Sequence, residues 1–362
     1  MNTVSANSRR RTWLLPTFTA LLSMMLASTA VAQENKKERK TKETVAMSQQ
    51  VYESLVEIQE FVEADDFQPA LKKINELQTG KKKMSPYETA QIWNLQAYTY
   101  YLMEDYPKSI AAYEKVLQQP ELPEALQQST LKTLAQLHFT VEDYDKALET
   151  INRLMAAIAE PSADIYMLKG QAYFQMGQYD NALEPIKTAI DMNRSQGKVP
   201  KENWLLLLRV IYWEMKDFPN MLIVIQELIQ EYPKDTYVLT LAGVYSELGD
   251  TKKQLALTEA LYEKGYISGK QHAINLGNLY LLHGMPYKAA ILLEKEMAAG
   301  NVEENTRNLR LLSQSWYSAR NDRKAIPPLV KAAASGEDSE LYMRLAQSYL
   351  NLEMWNEAAA AA

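Results

Sequence analysis

The chain has 362 residues, a formal net charge of −6, 12 glycines, 14 prolines and no cysteine. Leu, Ala, Tyr, Lys, Glu and Gln are abundant and no run alternates apolar with polar residues, so the composition fits an all-α protein and excludes a sheet-based one. The acidic balance opposes non-specific binding to nucleic acid, and the lack of cysteine rules out disulfides.

At the N-terminus, Arg9, Arg10 and Arg11 precede an apolar run from Trp13 to Ala27, followed by Ala30-Val31-Ala32 before Gln33. A basic start, a short apolar middle and an A-x-A end are the parts of a secretory signal peptide, which predicts cleavage after Ala32. The rival reading is an uncleaved membrane anchor; the short core and the well-formed Ala-x-Ala ending argue against it. Ser8-Arg9-Arg10 weakly resembles a twin-arginine export signal, but nothing downstream calls for folded export. Cleavage removes three arginines and no acids, leaving 36 basic and 45 acidic side chains and a net charge of −9. With no cysteine to acylate, the product is not a lipoprotein, and the expected location is the bacterial periplasm. Residues 33–48 read as a flexible basic leader: charged, without aromatics and without a periodic apolar face. Its Lys36, Lys37, Arg39, Lys40 and Lys42 suit a solvated tail, or contact with anionic lipid or an acidic partner.

From residue 49 to 362 one helical pattern recurs. A first copy lies around Phe61, Phe67, Ala70 and Leu77, and a second carries Trp93, Ala97, Tyr100, Tyr106 and Tyr113. A third has Leu134, Ala135, His138, Tyr144 and Ala147. The fourth, Asp164–Ile190, is the most regular. Tyr166, Gly170 and Tyr173 share one face of its first helix, and Ala182, Ile186 and Ala189 share one face of its second. Gly177 permits the reversal between them, Tyr179 plugs the corner, and the small residues let the two helices approach closely. A fifth copy follows at Leu208, Tyr212 and Phe218, a sixth at Leu241, Ala242, Tyr245 and Gly249, and a seventh at Leu276, Gly277, Tyr280 and Gly284. The eighth uses Leu312, Ser313, Trp316 and Ala325, and the ninth Leu345, Ala346, Tyr349 and Trp355. Steps of 33 to 39 residues separate the copies, with extra loop at Gly80–Lys83, Pro120–Pro123 and Gln196–Pro200. The last copy is short, which leads to the expectation of a capping helix beyond residue 362.

This unit resembles a tetratricopeptide repeat of about 34 residues. Ordering one costs on the order of 34–70 kcal/mol of backbone entropy, at roughly 1–2 kcal/mol per residue. Two short helices bury too little apolar surface to offset that, so the copies must stack. The resemblance implies a right-handed superhelical solenoid of antiparallel helix pairs, about nine units with the last incomplete.

Chemistry-bearing residues are few. His138 occupies a slot that other copies fill with Tyr or Trp and reads as a packed core residue. His272 and His283, 11 residues apart on one predicted helix, stand about 16 Å apart along its axis and cannot chelate one ion; no spacing supports a metal site. Asp65-Asp66, Glu104-Asp105 and Glu142-Asp143 are adjacent carboxylates of the kind that general acid–base catalysis uses. All three pairs fall in the turn between helices, where acids favour the start of the second helix. There is no phosphate loop and no nucleophile motif. The reading is of a non-enzymatic protein with no cofactor and no metal.

In tetratricopeptide superhelices the groove is lined by first-helix residues just after the small position, and by those three and four positions further along. Here the residues after the small position include Tyr98, Gln136, Gln171, Asn278, Gln314 and Gln347, and three further on come Tyr101, Phe139, Phe174, Trp213 and Tyr317. Carboxamides can pair with the backbone of an extended peptide, and flat aromatics supply contact area at low entropic cost. Both columns also suit simple consensus filler. As a set, Asn94, Tyr98, Tyr101, Gln136, Phe139, Gln171, Phe174 and Trp213 are the candidate partner-binding residues.

The run from Met84 to Leu137 carries a narrower likeness. Ser85-Pro86-Tyr87-Glu88, Ala90-Gln91, Asn94, Ala97-Tyr98, Tyr100-Tyr101, Ala112-Tyr113-Glu114 and Thr133-Leu134-Ala135-Gln136-Leu137 are similar to a periplasmic tetratricopeptide family associated with TonB energy-transduction systems. The similarity implies an accessory of outer-membrane uptake with protein partners of the TonB, ExbB and ExbD type. The alternative reading is an envelope-assembly regulator that binds a peptidoglycan synthase or a glycan strand.

Overall fold

Eighteen helices, paired in chain order, make up the described part of the chain. The structure is a computed structural model and describes residues 47–362 apart from 82 and 335–338. The expected signal peptide, its cleavage site and nearly all of the basic leader lie outside the described residues. The pairs are α1 (Gln49–Glu63) with α2 (Phe67–Thr79), α3 (Pro86–Leu102) with α4 (Tyr106–Leu117), and α5 (Glu124–Thr140) with α6 (Tyr144–Ala156). Next come α7 (Ala163–Gln175) with α8 (Tyr179–Ser195), α9 (Glu202–Glu214) with α10 (Phe218–Glu231), and α11 (Asp235–Glu247) with α12 (Thr251–Glu263). The last are α13 (Lys270–Leu282) with α14 (Pro286–Ala298), α15 (Thr306–Ser318) with α16 (Asp322–Ala333), and α17 (Ser339–Asn351) with α18 (Trp355–Ala361). These are the nine copies read from the sequence. Each helix packs chiefly on the ones before and after it in the chain.

All nine pairs close through the same three-residue turn. Its middle residue is left-handed: φ is +70° at Gly177 but also +59° at Glu142 and +56° at Lys216. The third residue donates its N–H to the carbonyl of the residue five earlier, at 2.8–3.0 Å. Those acceptors are the ring residues packed toward the core, one position before the outward column: Phe61, Tyr100, Tyr173, Tyr212, Tyr245, Tyr280, Trp316 and Tyr349, with His138 in the third repeat. Together with the N–H of the left-handed residue bonding three back, this closes the carbonyls at the end of the first helix in a Schellman arrangement.

The same third residue opens the second helix. Asp105, Asp143, Asp217, Asp250 and Asn321 each accept the backbone N–H three residues on. The acidic pairs are therefore turn and cap residues: the first carboxylate of each sits on the left-handed position and the second on the cap.

Small residues face each other twelve positions apart across most pairs. Ser109 donates its hydroxyl to the Ala97 carbonyl at 2.8 Å, and Ser313 to Ala325 at the same distance. Buried apolar residues form clusters that each take in neighbouring pairs. One joins the second and third repeats through Ala97, Val116 and Leu137, and the next joins the third and fourth through Leu131, Ile151 and Ala172. A large one runs from Met167 to Tyr245, Leu255 and Leu276 share another, and the last extends from Ala273 to Ala361. Between them these clusters draw on every repeat from the second to the ninth.

The first repeat is tied on by a carboxylate. Glu88, on α3, accepts the N–H of Ser85 at 2.8 Å while Ser85 Oγ accepts the Glu88 N–H at 3.1 Å, a capping box. Its other oxygen takes the Ser48 N–H at 2.9 Å and the Ser48 hydroxyl at 2.6 Å, fastening the start of α1 to α3. Burial pushes this carboxyl up, but the hydrogen bonds from Ser48 and Ser85 outweigh it and hold the pKa at about 2.

Candidate functional site

The eight candidate residues all belong to first helices. Asn94, Tyr98 and Tyr101 lie on one face of α3 at spacings of four and three; Gln136 and Phe139 are on α5, Gln171 and Phe174 on α7, and Trp213 on α9. Seven are half-buried, and Trp213 is 49% exposed. The aromatic column has a structural duty as well. Tyr101 meets Tyr106 with ring centroids 6.1 Å apart, Phe139 meets Tyr144 at 5.7 Å, Phe174 meets Tyr179 at 5.8 Å and Trp213 meets Phe218 at 5.8 Å. In each repeat the ring seals the corner against the first residue of the second helix and leaves its other part outward. Tyr98 stacks on Tyr101 at 6.5 Å, and burial followed by the Glu63 charge raises the Tyr98 phenol. In the sixth, seventh and ninth repeats Ser246, Leu281 and Leu350 replace the ring, so the unbroken ladder spans repeats two to five.

Two cavities open along the same columns. The larger, about 580 Å³, lies between the fifth and sixth repeats and is lined by Val210, Trp213, Gly243 and Ser246 from the columns, together with Arg209. The smaller, about 290 Å³, lies between the eighth and ninth and is lined by Gln314, Tyr317 and Gln347. Trp213 is the member of the candidate set that meets a cavity; the others flank the ladder further toward the N-terminus.

Arg209 escapes a reading that starts at the residue after the small position. The small slot holds Ala97, Ala135, Gly170, Ala242, Gly277, Ser313 and Ala346 in the other repeats, and Arg209 in the fifth. Its partner twelve positions on is Met221, where other repeats carry Ser109, Ala147, Ala182, Ala289, Ala325 and Ala358. The sixth repeat is oversized on the partner side as well, with Gln254 opposite Ala242. Arg209, Met221 and Gln254 all line the larger cavity, so bulk at the point of closest approach is what opens it. The signal was present in the sequence as one charged residue in a column of small ones.

Elsewhere the chemistry is sparse. His138 is 4% exposed, as its place among the core-facing ring positions predicts; burial lowers its pKa, and Asp143 pulls the other way. His272 lies on α13, whereas His283 is the residue that ends it. Among the described residues there is no group of three potential metal ligands, and no helix is long and apolar enough to cross a membrane.

The family model described as tetratricopeptide repeat matches residues 90–119 and 163–196, within the second and fourth repeats. No curated protein matches the chain in sequence. Among solved structures, a tetratricopeptide repeat protein from Parabacteroides merdae is similar at 15% identity and a TM-score of 0.41, covering 83% of this chain and 99% of that one. MamA from Desulfovibrio magneticus is similar at 17% identity and a TM-score of 0.40, over 51% of this chain and 96% of that one. The yeast Sti1 TPR2AB domain, solved in complex with pHSP90, is similar at 15% identity and a TM-score of 0.36, over 65% and 87%.

Proposed function

We propose that the chain, a stack of helix pairs of which two match the tetratricopeptide model, is a non-enzymatic scaffold that holds an extended segment of a protein partner along its first helices. The observation that carries this is the coincidence of two features. The amide and aromatic columns follow one another on consecutive first helices, and two cavities, of about 580 and 290 Å³, open along them. Half-exposed rings pinned at one edge by a neighbouring ring are rigid, so little side-chain entropy is lost when a partner covers them. The wider setting is the periplasm, reached by cleavage after Ala32, with a role as accessory of a TonB-type energy-transduction complex. Support for that setting is the N-terminal sequence and the likeness of residues Met84 to Leu137.

The test is crosslinking in intact periplasm followed by capture, with a Tyr101→Ala, Phe174→Ala double variant as control. The expected result is capture of TonB, ExbB or ExbD components by the natural protein and its loss in the variant. Unchanged capture by the variant removes the groove from the proposal. Sedimentation of the protein with insoluble cell wall, in place of such capture, favours a peptidoglycan-directed role.

A further inference from the structure

The fifth repeat breaks the rule of its neighbours by placing a guanidinium where two helices normally touch. Arg209 is half-buried, its Nε is shut off from solvent, and that N–H meets no acceptor. Among the described residues the side chain enters no ion pair, although the surface is rich in them: Lys201 pairs with Asp164 at 2.7 Å and Arg194 with Glu227 at 2.6 Å, both within one repeat of it. The carboxylate on the wall of the same cavity, Glu247, is exposed at the rim and does not bond to Arg209. A solvated rim charge is screened, whereas a half-desolvated cation is not, so the inner end of the cavity favours an anion. The exposed indole of Trp213 forms a flat apolar wall there, and Thr240, Ser246 and Gln254 add neutral donors and acceptors. A planar guanidinium fork matches the two oxygens of a carboxylate better than any other common group on a polypeptide.

We propose that the cavity between α9 and α11 is an anchoring subsite for a carboxylate, gripped by Arg209, with the adjoining apolar part of the ligand against Trp213. This rests on the groove reading and supplies one piece of the partner's chemistry: the bound segment carries an acidic side chain or its own C-terminal carboxylate at the fifth repeat. The volume of about 580 Å³ admits either, with a neighbouring residue.

Three blocked probes separate the possibilities: N-acetyl-glutamate N-methylamide for the side-chain carboxylate, N-acetyl-leucine for the terminal one, and N-acetyl-leucinamide with none. They are titrated into the purified protein labelled with nitrogen-15 at tryptophan, following the Trp213 indole resonance assigned through Trp213→Phe. The expected result is a saturable shift with at least one carboxylate probe and none with the amide. Arg209→Gln weakens that binding by about tenfold or more, Arg209→Lys less, and Glu247→Gln tightens it. The carboxylate that binds more tightly names the source. Equal shifts from the amide probe, no saturable shift from either carboxylate, or undiminished binding by a folded Arg209→Gln variant overturns the subsite. Partner capture that survives Arg209→Gln alongside failed probe binding sinks the subsite and spares the groove. Probe binding that persists while the Tyr101→Ala, Phe174→Ala variant captures partners normally does the reverse.

Discussion

The fourth and fifth repeats have the same length of first helix and the same turn, yet they are built on opposite solutions to one contact. In the fourth, Gly170 lies so close to α8 that an added Cβ would stand 2.3 Å from Ile186 Cγ1 and 3.2 Å from the Ala182 carbonyl oxygen. In the fifth, Arg209 and Met221 occupy the equivalent positions and a cavity opens beside them. A buried donor left unbonded costs about 1–3 kcal/mol, more when charged. Stability and an open site therefore compete at a single register position. One repeat is fitted for holding the stack together and the next for meeting something outside it.

The largest test of that contrast is truncation on the two sides. Ile186→Ala removes a fully buried side chain from the tight pair, and about 2–5 kcal/mol of unfolding free energy is expected to go with it. Met221→Ala, beside an existing cavity, should cost clearly less, because the Arg209 side chain has room to relax. Chemical denaturation measures both, and equal losses would erase the distinction. The junction of the first two repeats offers a second handle, through pH. Glu88 has a folded pKa of about 2, well below that of an unfolded glutamate, so its contribution is fully present above about pH 4.5 and is lost as pH falls through 2. On the order of 2–3 kcal/mol is involved. Hydrogen exchange over that range should show α1 losing protection before the other helices, and Glu88→Gln should remove most of the pH dependence. The smallest effects come from adding one methyl group. Gly170→Ala forces Ile186 and the α8 backbone aside and should destabilise by about 1–3 kcal/mol. Gly243→Ala, with nothing within 4 Å of its new Cβ, should instead stabilise α11 by up to about 1 kcal/mol. A melting temperature that does not fall for Gly170→Ala would mean the helices of the fourth repeat are not in close contact.

Most of this architecture was legible because each repeat restates it. The spacing of Ala97, Tyr100 and Tyr106, or of Gly277, Tyr280 and Ala289, fixes helix, turn and helix without reference to the rest of the chain. It also placed His138 correctly, since a buried imidazole does the job of the ring it replaces. The turn was legible only in part. Gly177 suggested that glycine makes the reversal, but six of the nine left-handed positions carry a side chain, Glu142 and Lys216 among them. Two backbone hydrogen bonds per turn hold those residues in place, and backbone bonds leave no mark in the sequence. The outward columns were readable as columns, yet which member meets a cavity depends on how far the helices splay. That distance is set by Arg209, Met221 and Gln254, residues whose pattern is an exception to the repeat rather than an instance of it.

The uniform three-residue turn has a practical corollary. Inside every hairpin the hydrogen bond from the third turn residue to the aromatic carbonyl fixes the linker length, whereas the connections from one hairpin to the next range from three residues after α10 to seven after α14. Of the two kinds of connection, only the second varies in length. An epitope or fluorescent reporter spliced after Gln118 or Gln196 lands on such a seam, but one extra residue at Glu142 throws the aromatic, its carbonyl and the capping aspartate out of step together.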